Sequence, residues 1–205
     1  MRSLTKFLAV PVAAAAIATA AAMAAPAAHA QTVNYDQNGT VALTIPLSYV
    51  HQLLKAHVIA FPVPLSEVSS NGQTVTMTFN VTGGNGDTSV YYGAVDLGGS
   101  FDIASVSGHF VSMGNLQLDV QDSEFVGTPT GSTTPVPLLD TSALIVTSTP
   151  SATTPGTYAD TYEADSVTVD PDGATYLNNA LHTKAFVAGQ AVGTMNGSWS
   201  VVYPS

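Results

Sequence analysis

A mainly β fold, an antiparallel sandwich or open barrel with two short helices, is what this chain predicts on three observations. Short segments alternate apolar and polar residues with period two, as half-buried strands do. Glycine, proline and Asn-Gly pairs punctuate them, the chemistry of tight turns. Only two segments space their apolar residues at three- and four-residue intervals, as an amphipathic helix requires.

In chain order, Arg2 and Lys6 precede an apolar, alanine-rich run from Phe7 to Met23, and Ala28-His29-Ala30 supplies a small-x-small cleavage signal. Residues 1–30 therefore read as a secretory signal peptide, with maturation at Gln31 and no transmembrane segment after processing. A single mostly-β domain is expected over 31–205. Thr40 to Ile45 forms its first strand. Leu47 to Val58 follows as a helix, with Leu47, Val50, Leu54 and Val58 on its apolar face. The clearest strand is 73–81, which sets Val75, Met77, Phe79 and Val81 against threonines. Asn71-Gly72 before it and Gly83-Gly84-Asn85-Gly86 after it read as turns. Strands are expected over Thr88–Val95, Ser100–Val106, His109–Met113, Asn115–Val120, Val136–Thr147 and Glu163–Val169. Ala174 to Leu181 is the second helix; Asp170 caps it, Pro171 suits its first position and Asp172 suits its positive end. The last strand carries Met195, Trp199, Val201 and Tyr203 on one face, with Asn196-Gly197 as a turn or bulge. Ser/Thr/Pro-rich stretches near 127–137 and 148–156 read as long loops.

The helical segments also align without gaps. Pro46, His57, Ala60 and Phe61 fall on Pro171, His182, Ala185 and Phe186. Two strand–helix units capping the sheet in the same way would produce this, and so would chance combined with the shared chemistry of helix starts.

Composition excludes several functions. Removing the signal leaves Lys55 and Lys184, no arginine and all fourteen carboxylates, a net charge of −12 with histidine neutral. Two cations do not neutralise a nucleic-acid backbone, so no nucleic-acid partner is expected. Without arginine no bidentate guanidinium clamp can form. Without cysteine there is no disulfide, thiolate metal site or cysteine nucleophile, and an exported chain must hold together by packing and backbone pairing. Nucleophile elbows, zinc-protease helices and phosphate loops are missing from the sequence. Asp160, Glu163 and Asp165 offer clustered oxygens for a hard cation such as calcium, but a solvated strand face reads the same way. No metal site is assigned. Glu163 is the carboxylate a glycosidase would use, but no partner at a fixed separation is legible. The histidines His51, His57, His109 and His182 form no ligand pair in sequence; with the tyrosines they leave open a haem site with a Tyr ligand.

Over its mature length the chain resembles a family of secreted actinobacterial proteins of mostly unassigned function. The resemblance rests on Leu43-Thr-Ile-Pro-Leu47, Phe79-Asn-Val-Thr-Gly-Gly84 and Asp96-Leu-Gly-Gly-Ser-Phe101 running to Asn115-Leu-Gln-Leu118. The closing Tyr176-Leu-Asn-Asn-Ala-Leu181, Phe186-Val-Ala-Gly189 and Gly193-Thr194 complete it. More remotely it is similar to HtaA-type haem-binding domains, through Tyr49 and Gly108-His109. That resemblance implies haem held between the Tyr49 helix and the His109 strand. The chain departs from it in lacking a tryptophan-led opening and an arginine for the propionates.

Together these readings predict a secreted, non-enzymatic extracellular or cell-envelope protein with a structural or binding role and no assigned cofactor. Its expected partner is an envelope component or a small hydrophobic ligand. Haem binding through Tyr49 and His109 is the alternative, and glycoside hydrolysis the third.

Overall fold

The computed structural model describes residues 34–35, 39–64, 68–87 and 92–202. The signal segment, Glu67, residues 88–91 of an expected strand and Tyr203 lie outside the described residues. Among the described residues twelve strands and two helices follow in order: β1 (Asn34–Tyr35), β2 (Thr40–Pro46), α1 (Leu47–Lys55), β3 (Val58–Val63), β4 (Val68–Ser70) and β5 (Thr74–Asp87). After these come β6 (Tyr92–Leu97), β7 (Ser100–Ser105), β8 (Phe110–Asp119), β9 (Glu124–Pro129), β10 (Val136–Pro150), β11 (Thr157–Val169), α2 (Pro171–Leu181) and β12 (Ala191–Val202).

Of the two architectures expected, the structure is a barrel, and it is closed. The strands run β8-β6-β5-β2-β12-β11-β10-β9, and β9 pairs back onto β8. β6 and β7 lie end to end along one side of β8, while β3 adds outside β7. Gly99 makes that break possible: its φ of +90° is open to glycine, and a Cβ there would lie 2.6 Å from the Val63 carbonyl oxygen. The wall is steeply staggered. From the neighbours Asn80 and Val81, one route runs through Thr40, Ser198 and Thr161 to Thr147 of β10. The other runs through Leu97 and Leu116, then from Gln117 through Val126 to Pro137 of the same strand. Closure with such an offset tilts the strands and leaves a slanted barrel end.

The alternation read from sequence holds where it was clearest. Met77, Phe79 and Val81 are buried, and Val75 packs partly against the core. One continuous core joins inward residues of the wall, from Val41 and Leu43 to Trp199 and Val201, with Leu53, Leu177 and Phe186 from the helical end.

Several expected boundaries move. Gly83-Gly84-Asn85-Gly86 is no hairpin tip: β5 continues through it, pairing with β6 as far as Asp87. The segments expected at His109–Met113 and Asn115–Val120 are one strand. A bulge at Asn115 (φ +45°) shifts the inward set from Val111 and Met113 to Leu116 and Leu118. Asn196 and Gly197 sit inside β12, paired on both sides. The two Ser/Thr/Pro stretches shorten to tight connections, because β9 reaches Pro129, β10 spans Val136–Pro150 and β11 begins at Thr157. Ser and Thr tolerate extended backbone, and Pro150 falls at a strand end where a missing N–H costs little.

The helices cap the slanted end. β2 and β11 run in the same direction with β12 between them, so α1 and α2 emerge at the same end. Asp170 caps α2 as expected, its Oδ1 accepting from the N–H of Asp172 (2.7 Å) and Gly173 (3.0 Å). Gly173, Ala174, Leu177 and Leu181 form its buried face. α1 ends earlier than expected, at Lys55, and buries Tyr49 and Leu53 while Leu54 is exposed. Its apolar face is thus turned by about one residue from the expected one, because the barrel interior takes the Tyr49 ring. The aligned histidines share a backbone state: His57 (φ +61°) and His182 (φ +51°) are both left-handed where the helices stop. The aligned segments share a strand–helix succession and this left-handed stop, but α1 has nine residues and no side-chain cap whereas α2 has eleven and is capped by Asp170.

Candidate functional site: an apolar cavity under the helical cap

Because the helices close a slanted opening, they do not fill it. A cavity of ≈ 90 Å³ remains beneath them. Leu43 and Ile45 of β2, Met77 and Phe79 of β5, Phe101 and Ile103 of β7, and Phe125 of β9 form its wall. Tyr49, Leu53 and Leu54 of α1, Leu177 of α2 and Phe186 complete it from above. Among the described lining residues the only polar side-chain group is the Tyr49 hydroxyl. Burial pushes the Tyr49 phenol up to about 12, so it stays protonated. Leu54 and Ile59 line the cavity and are also about half exposed (47% and 49%), which places its mouth beside the α1–β3 connection.

The C-terminal ends of both helices converge on the β7–β8 turn. The Val106 N–H donates to the His57 carbonyl at 3.0 Å. The His182 ring stacks on His109 with centroids 4.1 Å apart. The two residues suggested for haem are thus separated in role. Tyr49 lies in the cavity wall, while His109 sits outside the lining, against His182. A cavity of ≈ 90 Å³ is far below the several hundred Å³ of sites for large ligands. These residues, as arranged, do not fit haem.

The expected cluster of Asp160, Glu163 and Asp165 does not converge. Period two turns Asp160 into the barrel, fully buried, and leaves Glu163 and Asp165 exposed on the outer face. A different acidic trio forms instead, with carboxylate oxygens of Glu124, Asp140 and Asp170 all within 4.8 Å of one another. Desolvation raises the pKa of Glu124, reinforced by Asp170, Asp122, Asp140 and Asp119. Desolvation also raises that of Asp140, followed by a hydrogen bond and repulsion from Asp170. Such oxygens suit a hard cation, but one Asp170 oxygen is already committed to the helix cap, and proton sharing relieves the repulsion equally well. No sequence signal marked this trio, since its members lie on three separate elements.

A second hollow, on the outer wall, is polar and lined in part by Thr82, Asp96, Asn115, Gln117 and Thr128. Its Asp96 carboxylate is engaged by the Gln117 amide at 2.7 Å. Among the described residues no helix is long and apolar enough to cross a membrane. Comparison of the chain with known protein families and with curated proteins gives no match.

Proposed function

We propose that this is an exported, non-enzymatic binding protein of the cell exterior that holds a small hydrophobic ligand beneath its helical cap. The observation that carries the reading is the apolar cavity with its mouth at Leu54 and Ile59. Apolar cavities of this kind stay dry and take up apolar guests. The leader-like pattern of residues 1–30 supports export, and the net charge of −12 that remains after its removal suits a chain kept in solution outside the cell. The solvent-facing Glu163 offers no buried acid for glycoside hydrolysis.

Allowing ~10–15 Å³ per water-sized particle, the cavity accepts a guest of about six to eight heavy atoms. Six buried methylenes contribute about 5 kcal/mol, which corresponds to binding on the order of 0.1–1 mM. Titrating the mature chain with an environment-sensitive apolar fluorophore and displacing it with short alkanols tests this. Saturable binding at one site, reduced at least tenfold by filling the cavity with Ala60→Phe, is the expected result. Unsaturable binding, or binding indifferent to that substitution, refutes it.

The competing haem reading draws on the position of Tyr49 in the cavity wall. It requires α1 to move outward. Its signature is a Soret shift on adding haemin that disappears in Tyr49→Ala.

A further inference from the structure

The described chain carries six basic side chains, Lys55 and Lys184 together with His51, His57, His109 and His182. All six lie on or beside the helical cap, although ten of the fourteen carboxylates are distributed over the strands and turns of the wall. The concentration is sharper still at the helix C-termini. Lys55 is the last residue of α1 and neighbours the lining residue Leu54; His57 precedes the lining residue Val58. His182 ends α2, and Lys184 stands two residues before the lining residue Phe186. The contact of Val106 with His57 and the stacking of His182 on His109 bring these two helix ends to the same turn. Lys55, His57, His182 and Lys184 are all exposed.

We propose that the ligand is an anionic amphiphile, a carboxylate on a short unbranched aliphatic chain, with its tail in the cavity and its head at this basic rim. The proposal rests on the hydrophobic-ligand reading above. A lining whose only polar side-chain group is the Tyr49 hydroxyl cannot satisfy a carboxylate inside, because a buried charged group without enough partners is costly. A head group must then stay at the mouth, where the lysine ammoniums and imidazole N–H groups are the available donors. The remainder of the chain carries an excess of acids, so an anionic head is favoured at this rim over the acid-bearing wall. The C-terminal carbonyls of α1 also attract Lys55, and that structural role alone would leave ligand preference unchanged.

Calorimetric titration of the mature chain with octanoate, octanol and the series from butanoate upward separates these possibilities. Octanoate is expected to bind about five- to tenfold more tightly than octanol at low salt, with the difference shrinking as salt is added. Affinity should rise about fourfold per methylene and level off near six to eight carbons. Lys55→Gln combined with Lys184→Gln should bring octanoate down to the level of octanol and leave octanol unchanged, which also reports that the double variant is folded. Equal binding of octanoate and octanol by the unaltered protein overturns the proposal while sparing the cavity reading. So does a preference for octanoate that survives the double substitution. If neither compound binds, the cavity reading itself fails.

Discussion

Gly173→Ala separates local helix chemistry from tertiary packing, because the two predict opposite signs. In an isolated helix, replacing an interior glycine with alanine stabilises by about 1 kcal/mol. In the folded protein Gly173 faces β10. A Cβ there would lie 2.5 Å from the Pro137 carbonyl oxygen, 2.9 Å from Leu138 Cα and 3.0 Å from the Leu138 carbonyl oxygen. All three are backbone atoms of β10, beside the irregularity between Pro137 and Leu139 in its pairing with β9, so no side chain can swing away. Relief requires α2 to lift off by several tenths of an ångström. That movement loosens Ala174, Leu177 and Leu181 and stretches the 3.1 Å bond from the Asp170 N–H to the Leu138 carbonyl. Overpacking against fixed neighbours costs about 3 kcal/mol at the upper end of its range, leaving a net loss of about 2 kcal/mol. For a chain of this length that lowers Tm by about 4–8 °C in a thermal melt followed by circular dichroism. Asn179→Ala, on the exposed face of the same helix, should instead raise Tm slightly. A Gly173→Ala protein stabilised by the full helix-propensity gain would show that α2 does not sit against β10 as described.

Three further outcomes are expected. The raised pKa values of Glu124 and Asp140 mean that the folded state binds protons more tightly than the unfolded chain. Their contribution to stability therefore grows as pH falls from neutral through the raised values, and levels off below the ordinary carboxylate range. The pair Glu124→Gln and Asp140→Asn should melt higher than the unaltered protein at pH 7, with the advantage vanishing towards pH 4; an advantage constant with pH contradicts this. Asp170→Ala should cost about 1–2 kcal/mol through loss of the two capping bonds, and Asp170→Asn, which keeps an acceptor oxygen, should cost much less in urea melts. Equal losses would place the effect elsewhere. Finally, Tyr162 is fully buried and its hydroxyl has no hydrogen-bond partner of good geometry; Thr141 lies near enough only to offset part of the burial that pushes its pKa up to about 12. Tyr162→Phe should then be neutral or stabilising by up to ~1 kcal/mol, and a loss beyond that would reveal a strong bond at the hydroxyl.

What the sequence determined by itself was decided within a few residues. Alternation at Met77, Phe79 and Val81 fixes which face of a strand goes inward, since successive side chains must point to opposite faces. Asp170-Pro171-Asp172 marks a helix start because its unpaired N–H groups need an acceptor at that spot. The tertiary structure decided everything that required distant segments to meet. Gly83 to Gly86 could turn or extend equally well, and pairing with β6 made it strand. The β8–β9 ladder turned an open sheet into a closed barrel, and its stagger shaped the end that the helices cover without filling. Hence the cavity, the His109–His182 contact and the Glu124–Asp140–Asp170 trio had no local signature. Each arises where elements far apart in the chain are brought together, and local propensity says nothing about the space left between them.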